Sequence, residues 1–229
     1  MEAEQGDDAL AHVLRDLAGR YPTLVFADDR VTATSALAED EERCVVGFVP
    51  RRRAEFAAGR RAARKALGAF GLGASSVVAN ARGVPMFPAG YCGSITHKGG
   101  HAVAVAGSIA DVIAVGIDLE LDVEPEEPAL LARVATEREV MASNRLVAVG
   151  IESPATLILC AKEALFKALH PLDGEARDFQ DVELSFDVDG SFGIAMVDPR
   201  DLAHRVSGAY AQRGGFLVSL AIIRSYVGV

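Results

Sequence analysis

With 229 residues, half of them hydrophobic, the chain can bury the core of one large domain or two small ones. Its formal net charge of −9 argues against broad nucleic-acid binding. Cys44, Cys92 and Cys160 are too widely spaced for a zinc pattern or a disulfide framework, which favours reduced thiols. The acidic start, Met1 to Asp8, lacks a signal-peptide pattern. The most apolar stretch, 102–117, is broken by Asp111 and too short to span a bilayer. These features predict a soluble, cytoplasmic protein with no membrane or nucleic-acid partner.

In chain order, residues 9–20 predict a short helix, and 23–27 and 44–49 predict strands. Pro50 opens a strong helical pattern that runs to Phe70, with Gly71 and Gly73 suited to its end. Residues 91–96 and 102–107 read as strands joined by Lys98-Gly-Gly-His101, and 112–120 as a further strand. A loop at 124–128 precedes a mostly helical stretch, 130–149, and a helix over 154–170 that Pro171 is expected to end. Strands follow near 182–188, 191–197 and 216–223, with a hairpin at Asp187-Val-Asp-Gly190. The tail beyond Arg224 carries no readable function. The layout predicts an α+β fold with mixed or mostly antiparallel pairing. Each half offers one main helix and several strands.

Chemistry concentrates on two of these elements. In Val115-Gly-Ile-Asp-Leu-Glu120, strand alternation puts Ile113, Val115, Ile117 and Leu119 on one face. Ala114, Gly116, Asp118 and Glu120 lie on the other, and Gly116 leaves room for a close backbone or ligand. In Ala161-Lys-Glu-Ala-Leu-Phe-Lys167, Glu163 and Lys167 share a helix face. Hard cations such as Mg²⁺ bind through one or two carboxylates plus substrate phosphates. If helix and strand meet, Asp118, Glu120 and Glu163 supply such oxygens, and Lys162 and Lys167 neutralise phosphate. Taken singly, each run also reads as solvated surface: an acidic strand end, and an exposed Glu–Lys pair.

The stretch from Arg51 to Lys65 contains seven basic residues and one acid, Glu55. At about 3.6 residues per turn, Arg53, Arg60 and Arg64 form one stripe beside an apolar stripe of Phe56, Gly59, Ala63, Leu67 and Phe70. Arginine forks suit phosphate, although a solvated basic face is the ordinary meaning of such a run. In Gly93-Ser-Ile-Thr-His-Lys98, His97 can contact phosphate or serve as a structural hydrogen bonder, and Thr96 can cap or bridge backbone groups. The chain has no Gly-Lys-Ser/Thr phosphate loop and no dinucleotide fingerprint.

Taken in order, these stretches resemble the 4′-phosphopantetheinyl transferases of the Sfp/EntD type. The likeness spans about residues 43–190 and includes Gly83-Val-Pro-Met-Phe-Pro88 and Gly93-Ser-Ile-Thr-His97 beside the runs quoted above. The resemblance implies a pseudo-twofold pair of similar α+β halves, residues 1–109 and 110–229, with coenzyme A in the cleft between them. It implies transfer of the phosphopantetheine arm to a serine of an apo acyl or peptidyl carrier protein, of fatty-acid, polyketide or peptide-synthetase type. The by-product is adenosine 3′,5′-bisphosphate.

By the same resemblance Asp118, Glu120 and Glu163 bind Mg²⁺, and Glu163 also deprotonates the serine. Lys162 and Lys167 serve the pyrophosphate and catalysis. Arg53, Arg60, Thr96 and His97 match the region that holds the coenzyme A 3′-phosphate. The pattern departs at Phe87, where the family often has tryptophan, and at Thr96, where it commonly has serine. Each change keeps the chemical type. Two other readings of the residues stand beside this one: another Mg²⁺-dependent phosphoryl-transfer enzyme, and a non-catalytic coenzyme A or carrier-binding module. Internal pseudo-symmetry makes a monomer sufficient.

Overall fold

The structure, a computed structural model, describes residues 2–33, 36–121, 128–148, 150–196 and 206–224. Most of the expected loop at 124–128 and the tail after Arg224 lie outside the described residues. Helix α1 (Glu2–Arg20) begins earlier than its sequence pattern suggested, and it buries Leu10, Val13, Leu14 and Leu17 along one face. Strand β1 (Leu24–Arg30) follows, then the short helix α2 (Glu39–Glu42) and a 3₁₀ turn over Arg43–Val45. The strand expected at 44–49 does not form. Its β-branched residues Val46 and Val49 are exposed and pair with no sheet edge, so β-propensity alone finds no partner.

Helix α3 (Pro50–Gly68) starts with Pro50 in its first turn and buries an alanine-rich face ending at Leu67. It packs on β1, β2 (Tyr91–Lys98) and β3 (His101–Ser108). Helix and sheet approach closely at Gly59, where a Cβ would stand 2.7 Å from Ile95 Cγ2. The β2–β3 hairpin turns through Gly99 and Gly100, both at positive φ (57° and 81°), which is glycine's territory in a two-residue turn.

Strand β4 (Ala114–Leu121) opens the second half, followed by α4 (Pro128–Val134), α5 (Glu137–Ala148) and α6 (Pro154–Asp173). The helical stretch expected over 130–149 is thus two helices. Thr136 N–H donates to Glu139 at 2.7 Å and Glu139 N–H donates to Thr136 Oγ1 at 3.3 Å, a reciprocal cap that starts a new helix. Pro171 does not end α6. It lies in the last turn, and the helix closes at Gly174, whose left-handed backbone directs its N–H to His170 O at 2.8 Å. Four strands complete the chain: β5 (Glu183–Phe186), β6 (Ser191–Met196), β7 (Val206–Arg213) and β8 (Phe216–Ile223). Strand β7 escaped the sequence reading because Gly208, Ala209 and Ala211 dilute its β signal. It is defined by full pairing with β8, from Val206 opposite Ile223 to Arg213 opposite Phe216.

The two antiparallel sheets have orders β1-β3-β2 and β4-β8-β7-β6-β5. In each half a first strand leads into a long helix, and a later hairpin returns its last strand to pair with the first. The units β1–α3–β2–β3 and β4–α6–β7–β8 therefore repeat one topology, with β5 and β6 added at the second sheet's edge. This is the pseudo-twofold α+β architecture. One core joins the halves: Leu17 and Val105 pack with Ile117, Leu119, Val218 and Leu220. Strand alternation in β4 holds, but both faces are covered. Ala114 belongs to a second core with α6, and a Cβ on Gly116 would meet Ala164 O at 1.9 Å. Helix α6 thus lies directly on β4. Among the described residues no helix is long and apolar enough to cross a membrane, and the three cysteines are free.

Candidate active site

A cleft of about 660 Å³ runs between the halves, walled by α3, β2, the 79–85 loop, β4 and α6. Because Gly116 lets α6 rest on β4, the helix carries Glu163 and Lys167 to the strand end that holds Asp118 and Glu120. Asp118 is buried. Its Oδ1 accepts hydrogen bonds from Thr96 Oγ1 at 2.9 Å and from Lys167 Nζ at 2.6 Å, while its buried Oδ2 has no partner among the described residues. Lys167 also donates to Ile117 O at 3.3 Å. Glu120 faces Lys98, with Nζ 2.5 Å from Oε2. Burial holds the Glu163 carboxyl above its ordinary range. Lys167 opposes that shift, and the negative Asp118 and Glu120 add to it.

Among the described residues no three carboxylate, imidazole or thiol groups gather as a ready metal cage. The donor chemistry nevertheless suits a hard cation completed by substrate. Among the described residues Asp118 Oδ2 is an orphaned carboxylate oxygen, and Glu163 carries a charge that burial disfavours.

The other end of the cleft is basic. Arg60 is 5% exposed, its guanidinium lies 3.8 Å over the Phe56 ring, and its Nε has no hydrogen-bond partner among the described residues. Burial lowers its pKa to about 10. Arg52 Nη1 donates to His97 Nε2 at 2.7 Å, which leaves the imidazole proton on Nδ1 when the ring is neutral. Burial pushes the His97 pKa down; the nearby Arg52 and Lys167 charges act the same way, and Glu55 opposes them.

The arginine stripe expected from sequence is divided by the acids of α2. Arg53 reaches Glu42 at 2.7 Å, and Arg64 reaches the buried Glu41 at 2.5 and 2.6 Å. Arg60, between them on the stripe, is left for the cleft. Glu41 also accepts the Val77 and Ala38 N–H groups at 2.9 and 3.0 Å, fixing the segment that leads into the cleft wall to α3.

The structure therefore brings Arg60, Thr96, His97, Asp118, Glu120, Glu163 and Lys167 to one cleft, and leaves Arg53 and Lys162 outside its lining. Lys162 is wholly buried elsewhere, donating to Val134 O at 2.9 Å, Glu139 Oε2 at 2.7 Å and Phe179 O at 2.6 Å. It sits one residue from Glu163, about 100° around a helix of 3.6 residues per turn, which turns it away. Sequence reasoning passed over Arg52, Glu55, Asn80 and Leu159, which all line the cleft. For Glu55 a signal existed: it is the lone acid of the basic run.

Comparison with known proteins shows the family to which the chain belongs. Residues 40–107 match the family model of the 4′-phosphopantetheinyl transferase N-terminal domain, and residues 114–221 that of the 4′-phosphopantetheinyl transferase superfamily. The chain is 36% identical over 177 residues to the 4′-phosphopantetheinyl transferase Svp of Streptomyces mobaraensis, covering 76% of this chain and 71% of that protein. It is 33% identical over 153 residues to the 4′-phosphopantetheinyl transferase PptT of Mycobacterium tuberculosis, covering 66% of each. Among solved structures, the holo-[acyl-carrier-protein] synthase of Neisseria meningitidis aligns at 16% identity and a TM-score of 0.38, over 50% of this chain and 99% of that one. Two successive family matches over both halves, with a relative aligned across most of its length, place the chain in the 4′-phosphopantetheinyl transferase superfamily.

Proposed function

We propose that the cleft binds coenzyme A and that the protein transfers its 4′-phosphopantetheine arm to a serine of an apo acyl or peptidyl carrier protein. The observation that carries this reading is a single cleft with a buried guanidinium at one end, its Nε without a hydrogen-bond partner among the described residues, and an acid–lysine cluster at the other. Coenzyme A presents two separate phosphate regions, which such a cleft can hold at once. Arg60, Arg52 and His97 take the 3′-phosphate, since a buried cation without a carboxylate partner gains most from a bound anion. Lys167 meets the pyrophosphate beside Asp118.

The serine hydroxyl attacks the phosphorus that bears the pantetheine, its proton passes to Glu163, and the bond to adenosine 3′,5′-bisphosphate breaks. Burial raises the affinity of Glu163 for that proton in the metal-free cleft, and a bound cation would lower it. Asp118, Glu163 and Glu120 are the carboxylates that would hold Mg²⁺. When bound, the ion would neutralise charge on the phosphoryl oxygens. Thr96 fixes Asp118 for that duty. Both walls of the cleft come from one chain, so a monomer suffices, and three free cysteines fit a reducing cytoplasm.

The test mixes protein, coenzyme A, Mg²⁺ and apo carriers of fatty-acid, polyketide and peptide-synthetase type, then weighs the carriers. One added phosphopantetheine is expected, lost with EDTA or with Glu163→Ala. No mass gain on any carrier overturns the reading.

A further inference from the structure

A second cavity of about 600 Å³ lies beyond the first cleft, over the opening residues of β2 and β4 and the last turn of α6. The two spaces share Asn80, Ala81 and Pro85, so the segment 79–85 is the partition between them. This segment is a short finger. Ala79 bridges Pro85 at its base, and Asn80 Oδ1 accepts the N–H groups of Arg82 and Val84 at 2.9 and 3.0 Å, which tightens the tip. Its root belongs to the first half: Met86 N–H donates to Val78 O at 2.8 Å, and Ala79 N–H to Cys44 Sγ at 3.4 Å. At the tip one bond crosses to the second half. Arg82 Nη1 donates to Gly174 O at 3.2 Å, at the left-handed residue that closes α6. The guanidinium rests so close on this glycine that a Cβ there would overlap Arg82 Nη1. Among the described residues this is the finger's one hydrogen bond to that half. Arg82 lines the second cavity and not the first cleft, so it acts on the cleft through the finger.

We propose that Arg82 is a positioning residue for coenzyme A: by gripping the end of α6 it holds the finger in place as a wall of the cleft. The inference rests on the coenzyme A reading given above. A finger fixed only at its root keeps the freedom of its tip, and a ligand that needs the wall must then order it on binding. A cross-link at the tip removes that freedom in advance, which leaves more of the contact energy for affinity. Without the grip the partition is free to swing toward the second cavity, and the two spaces open into one groove. The same contact holds the wall in register with α6, the helix that carries Glu163 and Lys167. The bond is exposed, so its effect on affinity is modest.

The test combines hydrogen-exchange mass spectrometry of the intact chain, with and without coenzyme A, with steady-state transfer kinetics. In Arg82→Gln the amides of the finger should exchange about fivefold faster, the scale of an exposed hydrogen bond from a charged donor. The KM for coenzyme A should rise by about the same factor, while kcat stays unchanged because Arg82 is not at the acid–lysine cluster. Arg82→Lys, which can still donate to the carbonyl, should restore both. A melting curve within about 2 °C of the wild type shows that the fold is intact, and Arg82→Met serves as a second probe. Unchanged finger exchange and unchanged KM in both Arg82→Gln and Arg82→Met would overturn the proposal. So would a lower kcat at unchanged KM, which would place Arg82 in the chemistry instead. If the wild type does not bind coenzyme A at all, the coenzyme reading fails and takes the proposal with it. That result is distinct from coenzyme A binding that is insensitive to Arg82, which removes the proposal alone.

Discussion

Thr96 donates its hydroxyl hydrogen to Asp118 Oδ1 at 2.9 Å, and this buried bond ties β2 of the first half to β4 of the second at the floor of the cleft. Thr96→Val keeps the shape and removes the donor. Lys167 would then be the remaining partner of that oxygen, at 2.6 Å. Urea denaturation should show a loss of about 1–3 kcal/mol, the cost of leaving a buried polar group unsatisfied. Thr96→Ser should recover most of it. Unchanged stability in the valine variant would mean that Lys167 alone satisfies Asp118.

Arg60 separates binding from folding. Its charge is buried over Phe56 with no hydrogen-bond partner at Nε. Arg60→Met should weaken coenzyme A binding about tenfold to a hundredfold, the range of a lost charge-assisted contact. Thermal stability should hold or rise, because a poorly compensated buried cation is replaced by a side chain of similar length. Isothermal calorimetry and a melting curve on the same sample check both halves of the expectation. A stability loss with unchanged affinity would place Arg60 among structural residues only.

Glu163 should leave two signatures in pH. The folded protein binds its proton more tightly than the unfolded chain, because burial and the negative charges of Asp118 and Glu120 disfavour the ionised form. Between the unfolded and the higher folded pKa the native state holds more protons, so this group's contribution to stability is full below that window and is lost as pH rises through it. In EDTA, the stability advantage of Glu163→Gln over the wild type should therefore grow from about pH 4 to about pH 7. As the base, Glu163 must be ionised to act. A bound cation favours the ionised form, so the acid limb of kcat/KM should lie below the Glu163 inflection that the metal-free stability profile shows. An acid limb that Glu163→Gln leaves in place would remove Glu163 from the base role.

Lys162 illustrates a charge that serves the fold. Its ammonium ties the end of α4, Glu139 at the start of α5 and the carbonyl of Phe179 to α6, with no exposure to solvent. Lys162→Met strands the buried Glu139 carboxylate and should cost about 3–5 kcal/mol in denaturation. Replacing both partners with apolar residues should recover much of that loss. Coenzyme A affinity of the folded protein should stay within about twofold of wild type, which a lysine in contact with pyrophosphate would not allow.

Local pattern carried much of this protein into view. Period-two alternation placed Asp118 and Glu120 together on β4. Helical spacing paired Glu163 with Lys167, and the bare glycine on the acidic strand face marked Gly116 as a point of close approach, later filled by Ala164. Thr136-x-x-Glu139 was legible as a cap and was overlooked. The strand pattern at Val46 and Val49 was misleading, because a strand exists only where a neighbouring edge accepts its hydrogen bonds. Strand β7 was the opposite case, weak in propensity and secured by its pairing with β8.

Sequence alone determined most of the long helices and several strands, their apolar faces and the residue types needed for a two-phosphate ligand, because backbone periodicity is a local property. Tertiary structure decided which charges are free to act. Arg53 and Arg64 are claimed by Glu42 and Glu41 and Lys162 by Glu139, while among the described residues Arg60 and one oxygen of Asp118 are left for a ligand. These assignments join residues far apart along the chain. A charged side chain's role depends on which opposite charge the fold delivers within a few ångströms, and periodicity carries no record of that.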